Sequence, residues 1–212
     1  MDKGIHAASI FNKYANDYQD LYMDVSLYSD TFDCFCNAIK KQNASILELA
    51  CGPGNISQHV LNKRPDFKWL GTDLAPNMVE LAKKNNPGAD FEIMDCREIG
   101  KLKQQYEGLM CGFCLPYLSM SETEKLIKDA AGLLNTNGVI YISTMEDAYI
   151  RSGLQKGRKG DEIYMHYYQY VDLEKILIEN GFKILKVDRK EYEQQVGVKT
   201  VDLVIIAQNK NV

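Results

Sequence analysis

The sequence predicts an α/β fold built on a largely parallel sheet, and three observations lead there. From residue 44 onward, short apolar runs alternate with amphipathic stretches at the spacing of strand–helix units. A Gly-x-Gly turn, Gly52-Pro53-Gly54, joins the first apolar run to the first helical stretch. The last two apolar runs have only a polar link between them, which makes them a hairpin and the final strand antiparallel to its neighbours.

Each element follows from local pattern. Residues 6–41 read as helical, with Asp and Asn breaks around 16–30. Residues 46–49, Ile-Leu-Glu-Leu, form a buried strand, and 55–61 form the helix after the glycine turn. Residues 67–72 are a second strand. Residues 76–84 are a helix opened by Pro76, whose missing N–H costs nothing in a first turn. Strands follow at 89–94 and 106–112, then a long helix at 122–134. Asn137-Gly138 turns the chain into a fifth strand, 139–144. Residues 171–180 form a helix closed by Gly181, and 182–188 and 200–207 form the hairpin. Crossovers between the parallel strands are expected to be right-handed. The stretch 145–170, with Arg151, Gly153, Lys156, Gly157, Arg158, Lys159 and Gly160, reads as one long loop of the kind that carries function.

Composition narrows the function. The chain has 212 residues, which suits one domain with a buried core. Apolar residues are 45% and charged residues 25%, so a disordered chain, a collagen or a coiled coil is excluded. No run of 18 apolar residues offers a membrane span, and the first twenty residues lack the apolar core of a secretory signal. A cytoplasmic location is expected. The net charge of −4 argues against nucleic acid as the main partner. Six cysteines stand at 34, 36, 51, 96, 111 and 114. Cys111-Gly-Phe-Cys114 is a lone C-x-x-C without the second pair a zinc ribbon needs, so the thiols are expected to be reduced and to pack as small apolar groups, with no metal site.

The candidate site starts at Glu48-Leu49-Ala50-Cys51-Gly52-Pro53-Gly54-Asn55. A strand ends, glycines turn the backbone close to any ligand, and a helix begins with free N–H groups. A dinucleotide fingerprint would place Gly or Ala where Ser57 stands, which counts against a nicotinamide-dependent oxidoreductase. Glu48 ends the first strand, Asp73 the second and Asp95 the third. Asp73 lies 19 residues beyond Gly54, the distance at which an acid accepts ribose hydroxyls. Asp95 is placed to accept from an adenine amino group, and Glu48 suits a cation. Three such acids describe a nucleoside with a positively charged tail.

With these motifs the chain resembles the class I S-adenosylmethionine-dependent methyltransferases. The resemblance lies in ILELACGPGNIS (46–57), WLGTDLAPNMVELAKK (69–84), FEIMDCREI (91–99), LMCGFCLPYL (109–118) and LLNTNGVIYIS (133–143), within residues 44–208. It is nearest to small-molecule enzymes of the ubiquinone and menaquinone biosynthesis type. The resemblance implies a Rossmann-like seven-stranded sheet of order 3-2-1-4-5-7-6, strand 7 antiparallel, with helices on both faces. A helical cap (1–43), a core (44–208) and a substrate region (145–170) would make a single domain, 1–212. It implies that Glu48, Ala50, Cys51, Gly52 and Gly54 shape the methionine pocket. Asp73 would hold the ribose, with Leu74 and Met78 beside it. Asp95 would take the adenine amino group, next to Cys96 and Arg97. Gly112, Phe113, Tyr117 and Leu118 would wall the sulfonium. Ala50 replaces a glycine common in the family, and its small size suggests a slight cost.

The acceptor does not follow from these motifs, but its surroundings are suggested. His166 and Tyr167, in YMHYYQY (164–170), are candidate bases or substrate contacts. Tyr14, Tyr18 and Tyr22 have the spacing of one helix face, as core or as a lid over the methionine end, with Tyr14 expected against the cofactor. The sequence after the fourth strand, Cys114-Leu115-Pro116-Tyr117, lacks the motif of nucleic-acid amine methyltransferases. The expectation is methyl transfer from S-adenosylmethionine, leaving S-adenosylhomocysteine, to a small, partly apolar or aromatic molecule. The alternative is a cofactor-binding module without turnover.

Overall fold

The computed structural model describes residues 2–157, 159–195 and 198–211. Three helices precede the sheet: α1 (Lys3–Lys13), α2 (Ala15–Tyr22) and, after a 3₁₀ turn at Ser26–Tyr28, α3 (Ser29–Ala38). The chain then alternates: β1 (Ser45–Leu49), α4 (Asn55–Lys63), β2 (Lys68–Asp73), α5 (Pro76–Asn85) and β3 (Asp90–Ile93). A 3₁₀ segment, Cys96–Lys101, leads to β4 (Tyr106–Gly112), α6 (Met120–Leu133) and β5 (Leu134–Met145). A small hairpin follows, β6 (Gly153–Lys156) and β7 (Glu162–Met165), then α7 (Tyr170–Glu179), β8 (Phe182–Gln195) and β9 (Val198–Asn209).

The main sheet runs β3-β2-β1-β4-β5-β9-β8. Counted without the small hairpin, this is the expected 3-2-1-4-5-7-6. The first five strands pair in parallel, and β9 runs antiparallel to both β5 and β8. Strand alternation sorts the core onto two faces. Leu47, Leu49, Leu109, Ile140, Ile142, Leu203 and Ile205 pack with α6 and α7. Ile46, Met110, Tyr141, Val204 and Ile206 pack with α3, α4 and α5. Strands buried on both sides explain why they read as apolar runs in the sequence.

The local stop signals act as the residues suggest. Pro76 occupies the first turn of α5. Ser119 and Glu122 close a reciprocal capping box that starts α6 two residues earlier than its apolar pattern implies. Gly181, at φ 82°, ends α7.

Two expectations are corrected. The region 145–170 is not one loop, because β6 and β7 pair over four residues each. Its glycines and charges hid the strands, which are stabilised by what they dock on. The Lys13 ammonium and the Tyr14 hydroxyl reach Asp161, Lys159 pairs with Asp17, and the His6 ring meets the Glu162 carbonyl. Arg158 lies outside the described residues. The final hairpin also reaches further than 182–188 and 200–207. The polar stretch Lys190–Glu193 continues β8 as an edge strand, where charged side chains are compatible with pairing.

Candidate functional site

A cavity opens at the C-terminal ends of β1, β2, β3 and β4, with about 810 Å³ of atom-free space including its mouth. Gly52 takes φ 54°, so the backbone turns sharply where a side chain would crowd the ligand space. Its N–H donates to Asp73 Oδ2 at 2.9 Å, and the Ala75 N–H donates to Oδ1 at 2.8 Å. Burial raises the pKa of Asp73 above the ordinary carboxylate value, and these backbone donors oppose the rise. Leu74 and Met78 stand beside it on the cavity wall.

Asp95 caps the 3₁₀ segment and accepts the Arg97 N–H at 2.9 Å. The Arg97 guanidinium also clasps both of its oxygens, with Nη2 to Oδ2 at 2.6 Å. Burial pushes the Asp95 pKa up, but Arg97 outweighs it and holds the carboxyl below its usual value. Arg97 reaches on to Asp2 at 2.8 Å and Glu122 at 3.1 Å. Arg97 is therefore a hub that ties α1, α6 and the cavity floor together, a role its sequence position alone does not reveal.

Gly112, Phe113, Tyr117 and Leu118 close the β4 side of the cavity, with Ala50 and Cys96 also on the wall. Phe113 has φ 54° and Ala50 φ 51°. A bulky residue in the left-handed region is a strained outlier, and it stands where strain often marks function. The Phe113 N–H is held by the Ser143 carbonyl at 3.1 Å. The Ala50 angle also corrects the expectation about its size. The glycine preference there comes from backbone conformation, and alanine carries a cost of roughly 1–2 kcal/mol.

The roof and two wall residues lie outside the motifs. Gly4, Ala7, Ala8 and Phe11 of α1 lie over the cavity, and Met94 and Cys114 line it. Phe11 meets Tyr117 edge-on at 5.0 Å and Tyr18 at 5.7 Å. The small residues at 4, 7 and 8 on one amphipathic helix were the available signal, because they let a helix approach a ligand closely.

Six expected site residues stand elsewhere. Glu48 faces α4 and is 1% exposed, accepting bonds from the Ser57 hydroxyl and, at 3.0 Å, from Trp69 Nε1. Burial pushes its pKa up to about 8 despite those donors. It shares a strand face with Ile46, so alternation points it beneath the helix instead of into the cavity. Cys51 is buried in the same core. Gly54 caps α4 at φ 77°, and a Cβ there would lie 2.4 Å from Asn86 Nδ2, so close packing on α5 requires its glycine. Tyr14 sits at the junction of α1 and α2, where φ is −113° and ψ 26°. The break separates it from the face carrying Tyr18 and Tyr22, and its hydroxyl binds Asp161 at 2.6 Å. Tyr18 alone of the three lines the cavity. His166 is buried, its Nδ1 is 3.2 Å from the Tyr149 hydroxyl, and burial lowers its pKa. The Tyr167 N–H binds Ser152. Neither residue is on the cavity wall; both follow β7, and the His166 N–H donates to the Pro116 carbonyl at 2.8 Å.

The thiols are free, and Cys96 and Cys114 approach to 3.4 Å between sulfurs. Among the described residues, no helix is long and apolar enough to cross a membrane.

Residues 46–138 match the methyltransferase-domain family. The fold around that segment is the class I, S-adenosylmethionine-dependent methyltransferase fold. Over 138 residues the chain is 30% identical to malonyl-[acyl-carrier protein] O-methyltransferase 1 of Ilyobacter polytropus, covering 63% of this chain and 50% of that one. Over 140 residues it is 22% identical to demethylmenaquinone methyltransferase of Thermotoga maritima, covering 65% and 60%. Among solved structures, magnesium protoporphyrin IX methyltransferase from Synechocystis PCC 6803, with bound S-adenosylhomocysteine, superposes with a TM-score of 0.75 at 18% identity, covering 98% and 100%. At that identity the likeness concerns the fold. The chain spans about half the length of the first curated relatives it matches.

Proposed function

We propose that the protein is an S-adenosylmethionine-dependent methyltransferase acting on a small, partly apolar or aromatic acceptor. The observation that carries this reading is one cavity holding the Gly52 turn, Asp73 and Asp95 at the ends of β1, β2 and β3. The residues present suit this cofactor. A Cβ built on Gly52 would meet nothing nearer than Tyr18, at 3.7 Å, so the turn leaves space for the amino-acid end beside Ala50. Asp73 is a hydrogen-bond acceptor fixed by two backbone donors, as ribose hydroxyls require. Asp95, held by Arg97, would accept the adenine amino group, with Cys96 beside it. Leu74 and Met78 would flank the base and sugar. Gly112, Phe113, Tyr117 and Leu118 would wall the reacting end.

When bound, S-adenosylmethionine supplies a methyl group already activated on sulfur. What remains for the chain is to orient the acceptor and exclude water. The α1 roof, with Phe11 on Tyr117, serves the second task. A cytoplasmic setting is supported by the free thiols. Calorimetry with S-adenosylhomocysteine tests the reading. The wild type binds, and Asp73→Ala weakens binding by about 10- to 100-fold, the loss of a charge-assisted bond. No binding, or equal binding by the variant, refutes it.

A further inference from the structure

The cysteines take an arrangement in the fold that their spacing in the sequence does not suggest. Cys96 opens the 3₁₀ segment after Asp95, and Cys114 follows Phe113 beyond the end of β4. Their sulfurs stand 3.4 Å apart, with the Cys114 thiol donating to Cys96. A disulfide needs about 2.0 Å, so a shift of little more than an ångström would bond them. Both residues line the cofactor cavity. Cys96 is partly exposed, whereas Cys111, the other half of the C-x-x-C, is fully buried in the core. The fold therefore sets Cys114 against Cys96 on the cavity wall and leaves its partner in the motif behind.

Each thiol adjoins a residue of the cofactor site. Cys96 carries the chain from Asp95 into Arg97, whose guanidinium clasps Asp95. Cys114 directly follows Phe113, with its strained φ of 54°. Drawing the sulfurs together displaces one or both of these neighbours, and hydrogen bonds tolerate only a few tenths of an ångström. The bond from Cys114 and burial raise the pKa of Cys96, and the neighbouring Cys111 thiol and burial raise that of Cys114. Both thiols therefore stay protonated and react slowly, so access through the cavity decides whether an oxidant meets them.

We propose that Cys96 and Cys114 form an oxidation site, closed to a disulfide by a small peroxide that enters the unliganded cavity and shielded when the cofactor fills it. The shielding and the effect on cofactor affinity rest on the methyltransferase reading above; the oxidation itself does not. Peroxide converts the Cys96 thiol to a sulfenic acid and leaves one water. The Cys114 sulfur then attacks the Cys96 sulfur, the S–S bond forms, and the sulfenic hydroxyl leaves with the Cys114 proton as a second water. The two thiols give up two protons and two electrons, and the peroxide, reduced to water, takes them. The new bond ties the residue after Asp95 to the residue after Phe113, so it fixes the adenine end of the cavity against its β4 wall in a shifted position.

Hydrogen peroxide added to the full chain, read by intact mass and a non-reduced peptide map, tests this. The expected product is two hydrogens lighter and links Cys96 to Cys114. Saturating S-adenosylhomocysteine slows the link at least about tenfold. In calorimetry the linked protein binds S-adenosylhomocysteine at least about tenfold more weakly, the loss of one hydrogen bond, and dithiothreitol restores the affinity. Sulfoxides of Met78 or Met94 in the same cavity do not revert with dithiothreitol, so restoration assigns the effect to the thiols. No link, a link from Cys114 to Cys111, a link that S-adenosylhomocysteine does not slow, or an unchanged affinity of the linked protein overturns the proposal. Cys114→Ser holds its own affinity constant through peroxide treatment, and a loss there that dithiothreitol reverses overturns the pairing. Should that variant not fold, the wild-type map and its reversal decide. Failure of S-adenosylhomocysteine to bind reduced wild type overturns the cofactor reading instead, and the Cys96–Cys114 link made without ligand then stands or falls by itself.

Discussion

Asp73 and Asp95 look alike in the sequence, as acids ending successive strands, yet the structure gives them opposite electrostatics. Among the described residues Asp73 is held by backbone donors, and its pKa is raised by burial. Asp95 is clasped by Arg97 and its pKa is lowered. Glu48 differs again. Its folded pKa of about 8 lies above the ordinary 4.5, so folding favours the protonated form. Its stabilising effect is complete below pH 4.5 and is lost as pH rises toward 8, because the unfolded chain then releases a proton that the folded chain keeps. Glu48→Gln is therefore expected to flatten the fall in stability between pH 5 and 8, by an amount on the order of 2–4 kcal/mol in urea unfolding. An unchanged slope would show that Glu48 is ionised in the fold. Gly54→Ala is expected to cost about 2–4 kcal/mol in the same assay. The variant takes a left-handed angle and displaces Asn86 from its bonds to Gly54 and Ala82.

Among the elements, α1 and the β6–β7 hairpin behave as one body. Three polar contacts join them, Lys159 also pairs with Asp17 of α2, and Asp2–Arg97 fastens α1 to the cavity floor. The Lys13–Asp161 and Lys159–Asp17 pairs are solvent-exposed and add little stability. The roof can therefore open without unfolding the sheet. Deleting residues 1–14 is expected to weaken S-adenosylhomocysteine binding about tenfold or more and to speed protease cleavage within 153–165. If both stay unchanged, the segment is not a roof over the ligand. The hairpin is the element least legible in the sequence. The hairpin strands are four residues long with little apolar alternation, so their order comes from docking, which no local pattern encodes. The sheet strands and α5 were legible because each carries its own signal in apolar runs, Pro76 or capping residues.

At the scale of the whole molecule, β1, β4, β5 and β9 are buried on both faces, whereas α1 and the hairpin rest on the outside. Hydrogen exchange should follow this gradient, slowest in the central strands and fastest in α1 and 153–165. Bound S-adenosylhomocysteine should slow α1 selectively, and uniform slowing would place its main effect elsewhere.

The amino-acid sequence by itself determined the sheet, its antiparallel last strand and three residues of the cavity wall, Gly52, Asp73 and Asp95. Each is encoded by residues within a few positions of one another, through strand alternation, turn chemistry and helix capping. Only the tertiary structure decided what depends on distant parts of the chain meeting. It turned Glu48 under α4, set Tyr14 and His166 apart from the cavity, roofed the site with α1, and brought Cys96 to Cys114. Those outcomes depend on packing between elements far apart in sequence. Their energies arise from burial and pairing that no local window contains.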